Sequence, residues 1–114
     1  MAEISTIARP YAVAIFNLAK EENTLSEWSD MLSFMSGVVE NKAINSFVLD
    51  SKVLDTDREE LILNVCGDKI NSSGKNLIKL LVEYKRLLIL KKITLLFEEL
   101  KAKDEGVIEA EIIM

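Results

Sequence analysis

The sequence predicts an all-α fold, a six-helix bundle, and three observations carry that prediction. Apolar residues recur at intervals of three and four through most of the 114 residues, the spacing of helices that each bury one face. Four Gly and one Pro are few for a β-sandwich, which needs a turn about every dozen residues. Capping side chains stand ahead of several of the apolar runs. With 49% hydrophobic and 29% charged residues, the chain has the composition of a globular domain rather than a disordered one. Its length suits one domain. At 12.8 kDa, surface scaling gives about 6,300 Å² folded against about 18,600 Å² extended, enough burial for a core without disulfides or metal.

The first helix is predicted over about 5–20, with Pro10 in its opening turns, where a missing N–H costs least. Thr24-Leu25-Ser26-Glu27 matches a capping box and starts a second helix that reaches about residue 40. A short third helix fits residues 42–49. Asp55, Asp57, Glu59 and Glu60 put acid at the start of a fourth, where the helix dipole favours it, and Gly67 lies near its end. Asn71-Ser72-Ser73 caps a fifth, expected to run to about Arg86. The sixth covers about 90–103, with Glu98 and Glu99 on its outer surface.

The tail differs. Val107-Ile108-Glu109-Ala110-Glu111-Ile112 alternates loosely, as a strand does, and a lone strand has nothing to pair with in a helical domain. The organisation read from this is a helical domain over 1–105. Residues 106–114 are then a linker and the truncated first strand of a missing C-terminal domain.

Several function classes recede at once. A single cysteine, Cys66, permits no internal disulfide and suits a reducing compartment. Without histidine there is no Ser-His-Asp or Cys-His nucleophile and no His-ligated zinc. The N-terminus lacks the basic and apolar regions of a signal peptide. The longest apolar stretch, 87–97, is broken by Lys91 and Lys92 and is too short to span a bilayer. A net charge of −5 speaks against nucleic acid as partner, although residues 69–92 hold seven basic residues and one acid, Glu83. The stretch from Gly67 to Lys75 fails as a phosphate loop on glycine spacing and on Asn76, where a Ser or Thr should follow the lysine. Glu59/Glu60 and Glu98/Glu99 are helix neighbours about 100° apart and do not converge on a substrate. Cys66 reads as a small buried hydrophobe and Trp28 as a core residue. No metal site or cofactor is implied.

Two helices carry more apolar surface than one buried stripe needs. In the sixth, Ile89, Leu90, Ile93, Leu96, Phe97 and Leu100 fall within about 120°. In the first, Ile7, Ala8, Tyr11, Ala12, Ala14, Ile15, Phe16, Leu18 and Ala19 spread over about 200°. The fifth spreads as widely, through Leu77, Ile78, Leu80, Leu81, Val82, Tyr84 and Leu88. Such helices need cover on two sides. They are either central in the bundle or line a groove for an amphipathic partner helix, and Ala8, Ala12 and Ala14 would let that helix approach closely.

The run Ile7-Ala8-Arg9-Pro10-Tyr11-Ala12 with Ala14-Ile15-Phe16 resembles the opening helix of the delta subunits of bacterial F-type ATP synthases, relatives of the mitochondrial oligomycin sensitivity-conferring protein. The likeness continues through Trp28, Asp30-Met31-Leu32, Phe34, Val65-Cys66-Gly67, Gly74, Asn76-Leu77-Ile78 and Arg86-Leu87. It implies a six-helix N-terminal domain whose first and fifth helices receive the N-terminal helix of the alpha subunit. By position, Tyr11 and Ala14 face that partner from the first helix, and Asn76, Leu80 and Glu83 from the fifth; Ile7 and Lys79 join them as neighbours on the wheel. A C-terminal domain meets the peripheral stalk. This family commonly has Asn-Gly where Tyr84-Lys85 stands, which leads us to expect a longer or more helical turn.

The function expected is therefore a non-catalytic connector in the stator of proton-driven ATP synthesis. It would sit at the cytoplasmic face of the bacterial inner membrane, with no insertion of its own and no nucleic acid bound, and the isolated domain would be a monomer. The alternative is a helical interaction module of a regulatory or signalling complex. A small enzyme using Asp, Glu or Lys fits worst, for want of a convergent pair.

Overall fold

The computed structural model describes residues 2–106, with side chains from residue 4. Six α-helices follow one another: α1 (Ala2–Glu22), α2 (Leu25–Glu40), α3 (Lys42–Leu49), α4 (Asp55–Cys66), α5 (Ser72–Glu83) and α6 (Leu90–Asp104). Short 3₁₀ turns, Gly67–Lys69 and Leu87–Ile89, precede α5 and α6. The strand predicted over 107–112 lies outside the described residues. No described helix is long and apolar enough to cross a membrane.

The bundle is organised around α6, whose most extensive contacts are with α1 on one side and α2 on the other. Its buried stripe is the predicted one: Leu90, Ile93, Leu96 and Phe97 are buried, and Ile89 and Leu100 pack partly exposed against them. Phe16 of α1 meets Phe97 edge to face, centroids 6.2 Å apart, a favoured aromatic geometry. Thr94 donates to the carbonyl of Leu32 across the α2 seam at 3.2 Å. Ser29 of α2 donates to Glu98, so Glu98 faces the bundle and only Glu99 of that pair is on the outer surface. The pair α4 and α5 completes the bundle, with α4 and α5 each touching α2.

Trp28 is 3% exposed, in the core as expected. Cys66 is 1% exposed, and burial pushes its thiol up from the ordinary value, so it is a poor thiolate.

Several helix ends differ from expectation, each for a local reason. α1 begins earlier and ends later than predicted, which puts Pro10 in its interior rather than its opening turns. Thr24 precedes α2 without forming the capping box: its N–H and hydroxyl both turn back to the carbonyl of Ala19, at 2.8 and 3.5 Å. Asn71 does cap α5, accepting from the N–H of Gly74 at 3.0 Å. Gly74 is needed for close approach, since a Cβ there would lie 3.0 Å from Cβ of Ile70 and 3.3 Å from Sδ of Met31. α5 stops at Glu83, so Tyr84 and Leu88 lie beyond it.

The turn after α5 is tight, not the longer or more helical one expected. Lys85 takes φ 57°, the left-handed region that a side chain resists and glycine enters freely. A lysine thus occupies the conformation that the Asn-Gly of the resembling family would supply without strain.

Two stability measurements test this packing. Trp28→Ala should cost about 3–5 kcal/mol in urea unfolding. Lys85→Gly should be more stable than Lys85→Ala by about 0.5–1 kcal/mol, the reverse of their order at an ordinary helical site. Both variants lose the same lysine contacts, so the difference reports the backbone alone.

Candidate protein-binding site

On α1, one face is used by the bundle. Ala8, Ala12 and Ala19 are fully buried and Ile15 nearly so. The small residues Ala8 and Ala12 are therefore spent inside the fold, which corrects the expectation that they would serve an incoming helix. Beside this stripe runs a second one. Ile4, Ile7, Tyr11, Ala14 and Leu18 recur at 3-4-3-4 spacing, the seam pattern of paired helices. Ile7 and Tyr11 are half-buried, while Ile4, Ala14 and Leu18 are exposed.

Ile7, Pro10, Tyr11 and Ala14 line a shallow cavity of about 380 Å³ together with Arg86. The guanidinium of Arg86 donates to the Tyr11 hydroxyl at 3.0 Å. It also lies 5.8 Å from the centre of the Tyr84 ring, at the outer range of a cation–π contact. This clasp ties the α5–α6 turn to α1, two elements far apart in sequence. Among the described residues, α1 and α5 are not a helix pair in substantial contact, so Arg86 bridges a seam that the helices themselves leave open.

On α5, Leu77, Ile78, Leu81 and Val82 are buried, leaving a narrower exposed apolar surface than the sequence suggested. Asn76, Lys79, Leu80 and Glu83 are all exposed, with Leu80 at 41%. On the helix wheel Lys79 stands about 100° from Leu80. The structure thus gathers three of the seven predicted residues, Ile7, Tyr11 and Ala14, into one cavity and places the other four on the open face of α5, outside that cavity.

Sequence reasoning takes Arg86, with Lys79, as a basic rim of the groove, whereas the structure makes it a lining residue of the α1 cavity. It misses Ile4, because the helix was started too late. The 3-4-3-4 spacing was there to find it.

Two of the seven basic residues of the stretch 69–92 are paired with carboxylates. Lys85 reaches Asp55 at 3.0 Å and Lys91 reaches Glu40 at 3.3 Å. The hydrogen bond from Lys85, with Arg58 on the other oxygen, holds the Asp55 carboxyl below the usual carboxylate range.

Residues 7–114 match the family model described as ATP synthase delta (OSCP) subunit. The chain is 54% identical over 112 residues to the ATP synthase subunit delta of Methylobacillus flagellatus, an alignment covering 98% of this chain and 63% of that protein. It is 42% identical over 113 residues to the subunit of the same name from Nitrosomonas eutropha, covering 99% of this chain and 64% of that one. The corresponding subunit of Nitrosospira multiformis is 43% identical over 113 residues, again 99% and 64%. The chain therefore spans somewhat less than two thirds of the length of the curated relatives it matches. By the family match along nearly its whole length and by these identities, the chain belongs to the ATP synthase delta (OSCP) subunit family.

Proposed function

We propose that this chain is a non-catalytic connector of an F-type ATP synthase, and that its α1–α5 face receives the N-terminal helix of the alpha subunit. The observation that carries the reading is the second apolar stripe of α1, Ile4-Ile7-Tyr11-Ala14-Leu18, left partly uncovered beside a stripe already buried. A helix with its own heptad-like apolar seam fits there by the packing that joins any two such helices. Tyr11 supplies a half-buried aromatic anchor with its hydroxyl already satisfied by Arg86, the kind of residue on which interface energy concentrates. Ala14 is small enough for close approach. Leu80 adds apolar contact from α5, flanked by Asn76, Lys79 and Glu83 as a polar rim that sets register.

The family and the resemblance drawn above support a reading of this chain's place in the machine. The connector sits peripherally on the complex, at the cytoplasmic face of the bacterial inner membrane. It joins the catalytic head to the peripheral stalk through a C-terminal domain of the full-length subunit, and holds the head against torque while the rotor turns. Binding, not chemistry, is its mechanism.

Titration calorimetry of a synthetic alpha-subunit N-terminal peptide tests the site, with circular dichroism as folding control. Ala14→Asp should lower peptide affinity by about 3 kcal/mol or more, because it buries an unpaired carboxylate under the docked helix. The free domain should melt nearly as wild type does, since residue 14 is exposed there. Peptide binding as tight as that of wild type would remove α1 from the site; an unfolded variant would place Ala14 in the core.

The two basic residues near the groove should separate kinetically. Lys79 is a rim charge, so Lys79→Gln should slow association and flatten its salt dependence. Arg86 is half-buried and clasps Tyr11. Arg86→Gln should instead speed dissociation, by releasing the anchor ring, and stopped-flow rates in low and high salt distinguish the two.

A further inference from the structure

A second and larger cavity, of about 570 Å³, lies between the α3–α4 loop and the α5–α6 turn. Its size is that of a small-ligand pocket, and its lining is mostly apolar. Leu49, Leu54 and Leu88 line it and are 61%, 66% and 46% exposed, while Leu81 and Leu87 line it and are buried.

The wall is held in place before any ligand arrives. Arg58, whose side chain is 13% exposed, donates to the carbonyls of Val48 and Asp50 at 2.8 and 2.6 Å and to the Asp55 carboxylate at 2.8 Å. One guanidinium thus pins the end of α3, the loop and the start of α4 together. Such preorganisation lowers the ordering cost of binding.

The charge at this cavity is opposite to that of the chain. Arg58, Lys85 and Arg86 line it against a single carboxylate, Asp55, on a chain of net charge −5. Arg58 and Lys85 share the Asp55 carboxylate, so three cations face one anion and two positive charges are left over. The Lys85 side chain is 73% exposed, and its ammonium carries three donors, of which one is directed at Asp55.

We propose that this cavity binds a single-chain anionic amphiphile, an alkyl carboxylate whose chain lies among the leucines and whose head meets Lys85. The combination of a preformed apolar slot and a cationic mouth matches that chemistry at both ends. Arg86 lines this cavity and the one on α1 as well, so the site is separate from the partner face yet adjoins it.

The test is a titration of the chain, followed by amide NMR, with dodecanoate below its micelle concentration. Dodecyl maltoside serves as the probe with the same alkyl chain and no charge, and acetate as the charge without the chain. Dodecanoate should saturate one site and shift Leu49, Leu54 and Leu88. Dodecyl maltoside should bind about tenfold more weakly, the worth of one charge-assisted contact, and acetate should not saturate. Lys85→Gln should erase the preference for dodecanoate over the maltoside. Leu54→Glu, and independently Leu88→Glu, should abolish dodecanoate binding with unchanged thermal melting, since both positions are exposed. Vesicles of anionic phospholipid should not retain the chain. The proposal is overturned by absence of saturation, by equal affinity for the maltoside, by binding that survives both glutamate variants, or by shifts confined to Ile7, Tyr11 and Ala14. Retention on vesicles that Leu54→Glu removes would also overturn it, by assigning the surface to a bilayer; a slot that takes none of the probes would leave it to a protein segment.

Discussion

A helix can bury only one stripe against a single neighbour, and α1 carries two. The first, Ala8-Ala12-Ile15-Ala19, is settled inside the bundle. Alanines on that face bring the α1 backbone close to its neighbours, and Phe16 locks it to Phe97. Removing large side chains from the buried face has a cost in buried area, and the larger residues of α1 are displaced to its flank. The second stripe is the consequence: Tyr11 half-buried, with Ile4 and Leu18 exposed. The proposed binding face is thus the other side of the same packing choice that fixes α1 on α6.

The α5–α6 turn depends on this arrangement. Two of three consecutive residues each hold a different element, and the third braces one of them. Tyr84 offers its ring to Arg86, Lys85 pairs with Asp55 at the start of α4, and Arg86 bonds Tyr11 of α1. The left-handed backbone at Lys85 turns the chain sharply enough for these side chains to diverge toward separate partners. An exposed pair such as Lys85–Asp55 contributes little by itself, and the turn owes its position more to buried Leu87 and to Arg86. Strain at Lys85 persists because neighbouring contacts determine the backbone around it.

Most of the fold could be read directly from the chain, because helices announce themselves in local spacing. The α6 stripe, the acid-rich start of α4, the Asn71 cap and the burial of Trp28 and Cys66 all follow from residues near one another in sequence. What could not be read was set by contacts between distant residues. The Thr24 box failed because the carbonyl of Ala19, on the preceding helix, took both of its donors. Glu98 left its expected outer surface because Ser29, on another helix, faces it. The wheel could show that α1 and α5 had apolar surface to spare, but not that Ala8 and Ala12 would be consumed within the bundle. Nor could it show that Arg86, 75 residues from Tyr11, would close the seam between them. For the candidate site, the α1 half was visible as a spacing and the α5 half rests on resemblance.

The division between apolar seam and charged rim also bears on how the proposed connector would resist torque. A static load is resisted by slow dissociation, and dissociation is governed by the well-packed centre of an interface rather than by its edge. The proposed rim charges, Lys79 and Glu83, are exposed. Their attraction for a partner is screened within about 8 Å at physiological salt, so they speed the first encounter more than they hold the complex. In the proposed role, resistance to load would then come from the stripe on α1. That stripe is only as firm as the backbone beneath it, which is where the fully buried alanines and the Phe16–Phe97 contact matter. A helix docked on α1 would transmit force directly into α6, at the centre of the bundle, without crossing a loop.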